Sequence, residues 1–363
     1  MKKFLFSLCI ILALGACKDE SKPKEQTKPI VRIGATLPLT GNLAYIGEGS
    51  KNTLNMVLEK WSKLPTKYKY EIVYEDDMLK PQQAAINTQR FISINKAKVV
   101  VSVFGVVDRA VDDIANTHQI ISLSCSHGKD TFPEYALNVG SQNKEVYGAA
   151  LEQLKKMNVH KVALVGSMSA VSDALLDYAA QELPKDGIEV VINEKYAIGA
   201  TDYRLSIQKI EKLKPDYYLI FGVEPMNSVF LKQYYEITGK NNLLSLGSFA
   251  NISLSVFPPI EGVLSVYMVS TDFFAKEYFD KHHARVETCS AHLYDGVDML
   301  ITAFENTPPR EGKSIPDNAD ILKTVKSYKT WNGSAGKMQI EPNGVIRPSV
   351  DMRVYHNGGW VKL

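Results

Sequence analysis

The stretch that decides the fold reads VRIGATLPLTGNLAYIGEGSKNTLNMVLEKWSK and runs from Val31 to Lys63. Its apolar beginning predicts a strand over residues 31–37, and the apolar spacing of its second half predicts a helix over residues 50–63. The glycine-rich loop between them, Leu37–Gly49, is of the kind that can hold a phosphate. However, the Gly47-x-Gly49 pair lacks the third glycine of a dinucleotide-binding fingerprint. The loop alone therefore does not establish a nucleotide site.

The rest of the chain repeats the alternation of strand and helix. The run KVVVSVFG, Lys98–Gly105, is apolar throughout, as expected of a strand buried on both faces of a parallel sheet. The pattern restarts after Asn138–Glu145, with further apolar runs at Lys161–Gly166 and Asp216–Gly222. Two β-α-β series in a chain of 363 residues predict two doubly wound α/β lobes, each with a parallel sheet.

The first residues have the features of an export signal. Lys2 and Lys3 precede an apolar run, Phe4–Leu14, that is too short for an ordinary membrane span. The run ends in small residues followed by Cys17, which resembles the processing site of bacterial lipoproteins and implies that Cys17 becomes the lipidated first residue. The alternative is an ordinary secreted protein with a chance cysteine. The polar segment behind Cys17 is typical of a tether, and no later apolar run reaches membrane length, so we expect lipid alone to anchor the protein.

Charge and cysteine content exclude some classes of function. The formal net charge of +2 is nearly balanced, which argues against a nucleic-acid partner. Of the four cysteines, Cys9 leaves with the signal peptide and Cys17 carries lipid, so Cys125 and Cys289 remain. In an oxidising compartment these two can pair, or they can remain two buried free thiols. The sequence leaves both alternatives open.

The enzyme and metal signatures that we tested are absent or incomplete. The Ser-x-x-Lys stretches at Ser93, Ser141 and Ser206 lack the partner motifs of penicillin-recognising hydrolases, and neither a G-x-S-x-G nor an H-E-x-x-H motif is found. His282, His283, Cys289 and His292 match no standard metal-ligand spacing. Cys125 and His127 form the one candidate nucleophile–base pair, without evidence of activation. We therefore expect no enzymatic activity, no metal and no cofactor.

The opening stretch resembles the first strand, loop and helix of the periplasmic solute-binding proteins of the leucine/branched-chain amino-acid type, which serve ABC importers. The resemblance extends over nearly the whole mature chain and recurs, in order, in YEDDMLKPQQAAINTQRFI, QIISLSCSHGKD, DYYLIFGVEPMNSVFLKQYYEITG, HLYDGVDMLITAFENT and the closing GSAGKMQIEPNGVI to VYHNGGWVKL. It implies an α/β fold of two doubly wound parallel-sheet lobes joined by three crossover strands, the type I periplasmic binding protein fold.

The resemblance also implies a division of the chain. The expected segments are a signal peptide over 1–16, a lipidated tether over 17–28, an N-terminal lobe of 29–140 plus 263–334, and a C-terminal lobe of 141–262 plus 335–363. The crossovers are expected near Leu137–Ser141, Gly262–Val269 and Trp331–Lys337.

In that family the loop after the first strand touches a small solute at the mouth of a cleft between the lobes, so the expected ligand is a solute rather than a nucleotide. In doubly wound sheets, ligands lie beyond the carboxyl ends of the strands. The family's positions and the neighbouring loops give the predicted ligand-binding residues Tyr45, Ile46, Gly105, Ser124, Ser126, Gly128, Val171, Glu224 and Phe249.

The predicted pocket departs from the family pattern. Gly105 stands where a serine is typical, and Gly128 stands where a threonine hydroxyl is expected. No acid lies near Ser248 and Phe249, where the family pairs a carboxylate with the ligand ammonium. Either Glu224 supplies that charge from a neighbouring loop, or the ligand has no ammonium. These departures favour a more apolar or amide-type solute, or a carboxylate without an ammonium.

The resemblance implies a lipid-anchored receptor in the periplasm or at the cell surface. We expect a monomer that delivers an amino-acid-like, amide or carboxylate solute to an ABC permease in the inner membrane by closure of its cleft. The alternative is a ligand sensor or envelope regulator that uses the same fold without transport.

Overall fold

The computed structural model describes residues 28–41, 43–126, 132–197, 199–222, 226–247, 260–343 and 345–363. The predicted signal peptide and the lipidation site Cys17 lie outside the described residues. Within the described residues no helix is both long enough and apolar enough to cross a membrane.

Strands and helices alternate regularly through the first two thirds of the described chain. The first series comprises β1 (Ile30–Leu37), α1 (Ala44–Ser62), β2 (Lys69–Asp76), α2 (Pro81–Ser93), β3 (Val99–Val103), α3 (Gly105–Thr117), β4 (Ile121–Cys125) and β5 (Ala136–Asn138). The second comprises α4 (Asn143–Lys156), β6 (Lys161–Ser167), α5 (Ala170–Glu182), β7 (Glu189–Tyr196), α6 (Arg204–Glu211), β8 (Tyr217–Phe221), α7 (Met226–Thr238), β9 (Leu243–Ser245) and β10 (Leu264–Met268).

The last part of the chain is helical at first and then forms antiparallel strands. It comprises α8 (Asp272–His282), α9 (Ser290–Asn306), α10 (Asn318–Ser327), β11 (Thr330–Gly333), β12 (Gly336–Ile340), β13 (Ile346–Pro348), β14 (Val350–His356) and β15 (Gly359–Lys362).

The first sheet has the strand order β2-β1-β3-β4-β5, and every pair in it is parallel. All five residues of β3 are buried, as its continuous apolar run predicts. Helices α2 and α3 cover one face through a cluster that contains Phe91, Val107 and Val111. Helices α1, α8, α9 and α10 pack on the other face in the largest core of the protein. Covering both faces with helices lets a parallel sheet lie wholly inside the protein.

The second sheet has the order β15-β14-β10-β9-β8-β6-β7. Strands β7, β6, β8, β9 and β10 are parallel, whereas β14 runs antiparallel to β10 and β15 antiparallel to β14. Separate apolar cores lie on its two faces, one with α4 and α5 and one with α6 and α7. The prediction of a mixed α/β protein with two parallel-sheet lobes is confirmed.

Strand pairing differs from the expected lobe boundaries at two places. Residues 264–268 were expected to cross back to the first lobe, but β10 pairs with β9 and β14, and the chain leaves the second sheet only after Met268. Leu264 and Val266 are buried in the second sheet's core, which explains this pairing. Conversely, Ala335, Met338 and Ile346 pack in the first core although residues 335–363 were assigned to the C-terminal lobe.

The buried carboxylate of Asp295 fixes the chain that returns toward the second sheet. It accepts hydrogen bonds from the backbone N–H groups of Ser334 at 2.8 Å and Ala335 at 2.7 Å. A Cβ atom on Gly333 would lie 2.3 Å from the Asp295 Oδ1 atom, so the close approach requires a glycine here. Burial raises the pKa of Asp295 to about 6 despite these two hydrogen bonds. The ionised carboxylate is therefore costly at this position without its two donors.

We expect Asp295→Asn to lower the free energy of unfolding by about 2–4 kcal/mol, because the amide group turns at least one donor toward an N–H and leaves a buried backbone group without an acceptor. Urea unfolding monitored by circular dichroism measures the change. The exposed Asp113 on α3 offers a matched control, and Asp113→Asn should change stability by less than about 0.5 kcal/mol. Equal stability of the two variants would contradict the role given to Asp295.

Candidate functional site

The carboxyl ends of the parallel strands in the two sheets mark where a ligand is expected. In the first sheet β4 ends at Cys125, and in the second β10 ends at Met268. A short connection leads from Met268 to α8, whose Phe274 and Tyr278 pack in the first core. We call the first sheet with the helices packed on it the first structural unit, and the second sheet with its helices the second structural unit. The space beside this connection is bordered by both units.

The loop after β1 is held by Asp76, the last residue of β2. Its carboxylate accepts hydrogen bonds from the Leu39 N–H at 2.9 Å, the Thr40 hydroxyl at 2.5 Å and the Met78 N–H at 2.9 Å. Burial acts to raise the pKa of Asp76, but the hydrogen bonds from Thr40, Met78 and Leu39 outweigh it and hold the pKa below its usual value. The ionised carboxylate thus fixes the loop.

Gly47 and Gly49, at the start of α1, are required by close packing. A Cβ atom on Gly47 would lie 2.1 Å from the carbonyl oxygen of Pro38, and one on Gly49 would lie 2.8 Å from Cγ of Glu287. Both glycines belong to the first turns of α1 and are buried. Without side chains at these two positions, α1 can pack directly against its own loop and against the segment before α9. This packing explains both glycines, so they are not evidence for a phosphate site.

The loop after β4 is tied to the first crossover. Asn138 Oδ1 accepts from the Ser126 N–H at 3.1 Å, and Asn138 Nδ2 donates to the Ser126 carbonyl at 3.0 Å. A Cβ atom on Gly140 would lie 2.1 Å from the same carbonyl oxygen. The buried Ser124 hydroxyl has no hydrogen-bond partner among the described residues. Ser124 is thus a buried polar group near the end of β4 whose hydroxyl is unsatisfied within the described part of the chain.

Cys125 and Cys289 form a disulfide, with a Cα–Cα distance of 5.9 Å. The structure therefore decides between the two alternatives that the sequence leaves open. The bond joins the end of β4 to the residue that precedes α9, across 164 positions of sequence. Cys289 has a φ of +76°, a backbone conformation that a residue with a side chain rarely adopts. Phe104, at the end of β3, has the same φ, so two unusual backbone positions flank the site.

The structure describes six of the nine predicted ligand-binding residues. Tyr45 and Ile46 lie in the first turn of α1, Gly105 begins α3, and Val171 is the second residue of α5. Tyr45 is exposed, Ile46, Gly105 and Val171 are partly buried, and Ser124 and Ser126 are buried. Gly128, Glu224 and Phe249 lie outside the described residues. The nine assignments stay predictions.

A cavity of about 420 Å³ lies between the structural units of the two sheets. Its volume falls within the range of small-molecule sites. From the first unit it is lined by Phe279, Ala275 and the segment Arg285–Cys289 with Ala291 and His292. From the second sheet it is lined by Tyr267, Met268, Arg353, Gly359 and Trp360, and from the connection by Val269, Ser270 and Asp272. None of the six described predicted residues lines this cavity.

Aromatic and cationic groups form the wall that the second sheet contributes. The rings of Tyr267 and Trp360 have centroids 5.3 Å apart, and the guanidinium carbon of Arg353 lies 4.9 Å from the Tyr267 ring centroid. The buried Tyr267 hydroxyl has no hydrogen-bond partner within the described part of the chain. Burial raises the pKa of Tyr267, while the positive charges of Arg353 and Arg285 act in the opposite direction. Both arginines are therefore close enough to act on one phenol.

Sequence reasoning missed the lining residues of this cavity. Tyr267 and Arg353 meet because β10 pairs antiparallel with β14, placing Ser265 opposite Arg353 and Tyr267 opposite Asp351. Trp360 joins them through the pairing of β15 with β14. The sequence predicts a crossover near Gly262–Val269, whereas this segment pairs with β14. A signal was present in the alternation of β10, which puts Tyr267 and Ser265 on one face.

Comparison with known proteins gives one family and many similar structures. A family model described as periplasmic binding protein matches residues 30–356. A leucine-binding protein from Thermotoga maritima has a TM-score of 0.79 at 19% identity, with 92% of this chain and 97% of that chain covered. No significant match is found among curated protein sequences.

Two further structures were solved with a bound compound. A branched-chain amino acid transporter substrate-binding protein from Streptococcus pneumoniae, in complex with isoleucine, has a TM-score of 0.77 at 17% identity and covers 92% of this chain and 100% of its own. An ABC transporter solute-binding protein from Rhodopseudomonas palustris, in complex with benzoate, has the same TM-score and identity and covers 92% of this chain and 95% of its own. At these identities the likeness shows a shared fold.

Proposed function

Because the chain belongs to the periplasmic binding protein family, we propose that it is an extracytoplasmic receptor that binds a small organic solute and delivers it to an ABC importer. The observation that carries this proposal is the cavity of about 420 Å³ lined by both structural units. A solute held there contacts two bodies that are connected by short chain segments. Binding can then be coupled to their relative movement.

Closure of the two lobes is the mechanism that we propose for this coupling. The solute stabilises the closed form only if it has a higher affinity for that form than for the open one. A solute that touches Trp360 on one wall and Phe279 on the other gains contacts as the walls approach. The segments that carry such a movement are those after Asn138, after Met268 and before Val350, which join the two sheets' units.

The class of solute is the next part of the proposal. The structures with bound compounds hold isoleucine or benzoate, and both compounds carry a carboxylate. We extend this to the present chain as an amino-acid-like, amide or carboxylate solute, in agreement with the departures of the predicted pocket from an amino-acid site. The mixed aromatic and cationic lining supports a compound with an organic body and a polar end.

A binding role without catalysis is also proposed. The sequence offers Cys125 and His127 as its one nucleophile–base candidate, and the Cys125 sulfur is bonded to that of Cys289. A disulfide sulfur is not a thiolate and cannot act as the nucleophile. The disulfide thus supports a binding role over the catalytic alternative that the sequence raises.

We further propose that the receptor works as a monomer tethered to the membrane by lipid on Cys17, beside an inner-membrane permease. The support is the sequence Leu14-Gly15-Ala16-Cys17 after a short apolar run. A single buried acyl chain gives marginal binding, so a stable anchor requires more than one chain on the processed cysteine.

The receptor proposal is tested by a binding screen with a variant whose cavity is filled. We expect at least one member of a panel of amino acids, amides, aliphatic acids and aromatic acids to raise the melting temperature of the wild type. Ala275→Trp fills the cavity from α8 and should abolish that stabilisation, since Ala275 is one of its lining residues. Ala319→Trp, at an exposed position of α10, should retain it. Equal binding by wild type and both variants would show that the cavity is not the solute site.

The anchor is tested by Cys17→Ala in the expressing bacterium. We expect the variant to lose incorporation of labelled palmitate, because the sulfur that accepts the lipid is gone. Immunoblotting of membrane and soluble fractions after extraction, with Cys17→Ala beside the wild type, provides the second readout. Unchanged palmitate labelling of the variant would contradict lipidation at Cys17.

A further inference from the structure

The cavity between the two structural units contains an arginine on each of its walls. Arg285 lies in the segment between α8 and α9, which packs with the first core, and Arg353 lies on β14 of the second sheet. Burial raises the pKa of Tyr267 and both guanidinium groups act to lower it, and the Tyr267 side chain lines the same cavity. Each of the two walls of the cavity therefore contributes one positive charge.

The carboxylates nearest to these arginines do not form close ion pairs with them. Asp351 lies 3.9 Å from Arg353, at the limit of an ion pair, and the same carboxylate is 2.7 Å from Lys362. The Nε atom of Arg353 is buried and has no hydrogen-bond partner among the described residues. Arg285 is exposed and has no carboxylate within ion-pair distance in the described part of the chain.

Two acidic residues, Glu287 and Asp272, also line the cavity. Both have interactions elsewhere. Glu287 packs against α1, where its Cγ limits the space at Gly49, and it already has an interaction partner. Asp272 is exposed in the first turn of α8, where the helix dipole favours a negative charge. Neither acid removes the positive character of the space around Tyr267.

The remaining groups on the cavity wall also suit an anion. The first turn of α9 contributes Ala291 and His292, so the positive end of this 17-residue helix borders the cavity. The Tyr267 hydroxyl is buried in this wall and lacks a hydrogen-bond partner among the described residues. Trp360 and Phe279 provide apolar surface for an organic body. An uncharged solute would leave Arg285 without a counter-charge and Arg353 with only the distant Asp351 as the cavity closes.

We propose that the solute is a small organic carboxylate held between Arg285 and Arg353, and that its charge permits the two lobes to close. Without an anion, two like charges on opposite walls repel as they approach, and this repulsion grows as water leaves the space between them. A carboxylate between them turns the repulsion into two attractions and can accept a bidentate hydrogen bond from either guanidinium. This inference rests on the proposed receptor function. It specifies, in addition, the charge of the solute and the two residues that recognise that charge.

The test uses pairs of compounds that have the same shape and differ in charge. The probes are benzoate and benzamide, 4-methylpentanoate and 4-methylpentanamide, with leucine as a zwitterion and inorganic phosphate as an anion without an organic body. Affinities are measured by calorimetry on the purified protein at one fixed ionic strength. We expect one carboxylate to bind at least tenfold more tightly than its amide, because the amide cannot neutralise the arginines.

Variants identify the residues that recognise the charge. Arg285→Gln and Arg353→Gln should each weaken binding of the better carboxylate by at least about tenfold and leave any binding of its amide unchanged. Arg353→Lys keeps the charge without the planar fork and should give an intermediate loss. Arg310→Gln is the matched control, since Arg310 follows the far end of α9 and pairs with Asp320 at the surface, and it should bind as the wild type does.

Each other outcome has a definite meaning. An amide that binds as tightly as its acid, or wild-type affinity in both glutamine variants, overturns the inference and leaves the receptor function in place. Phosphate binding without carboxylate binding also overturns it, as does leucine binding that is insensitive to both arginine variants. Absence of binding by every probe and by the wider panel overturns the receptor proposal together with the inference.

Discussion

The buried carboxylate of Asp295 is the interaction that holds the chain in place where it leaves the first core and returns toward the second sheet. It accepts hydrogen bonds from two consecutive backbone N–H groups, those of Ser334 and Ala335, in the segment that leads back toward the second sheet. Burial favours the neutral form of this acid and the two donors favour the ionised form, so the position is stable only while both hydrogen bonds are made. The returning chain is therefore fixed to α9 at one point.

Helix α9 has two other connections within the first unit, one at its beginning and one a turn after Asp295. At its beginning, Cys289 is bonded to Cys125 at the end of β4. One turn after Asp295, Asp298 accepts hydrogen bonds from Lys60 at 2.8 Å and Trp61 at 2.8 Å on α1. Its first turn also borders the cavity. Displacement of the cavity wall at α9 is thus transmitted to β4, to α1 and to the returning chain together.

The opposite wall is built differently and belongs to the second sheet. Tyr267, Arg353 and Trp360 come from three adjacent strands, and their positions are fixed by backbone pairing rather than by a helix. The connection between the walls is short, since only three residues separate β10 from α8. A solute between the walls therefore contacts two rigid bodies. We expect the movement to occur in the connecting segments rather than inside either sheet.

Much of the fold could be predicted from sequence because each parallel strand is a local, uninterrupted apolar run, as in Val99–Val103, followed by a helix with one apolar face. The site could not be predicted to the same extent. Arg353 and Tyr267 are brought together by antiparallel pairing between distant segments, and Arg285 lies on a loop whose position depends on the packing of α8 and α9. No pattern within a single segment of the sequence predicts a contact between side chains from such distant segments. The pairing of Cys125 with Cys289 was open for the same reason.

The most direct test of the account is small-angle X-ray scattering on the wild type with and without a compound that binds. The account predicts that the radius of gyration falls on binding, because the two lobes close on the solute. Ala275→Trp, which fills the cavity, should show no such change at the same concentration of compound. Tight binding to the wild type with an unchanged radius of gyration would contradict closure as the mechanism.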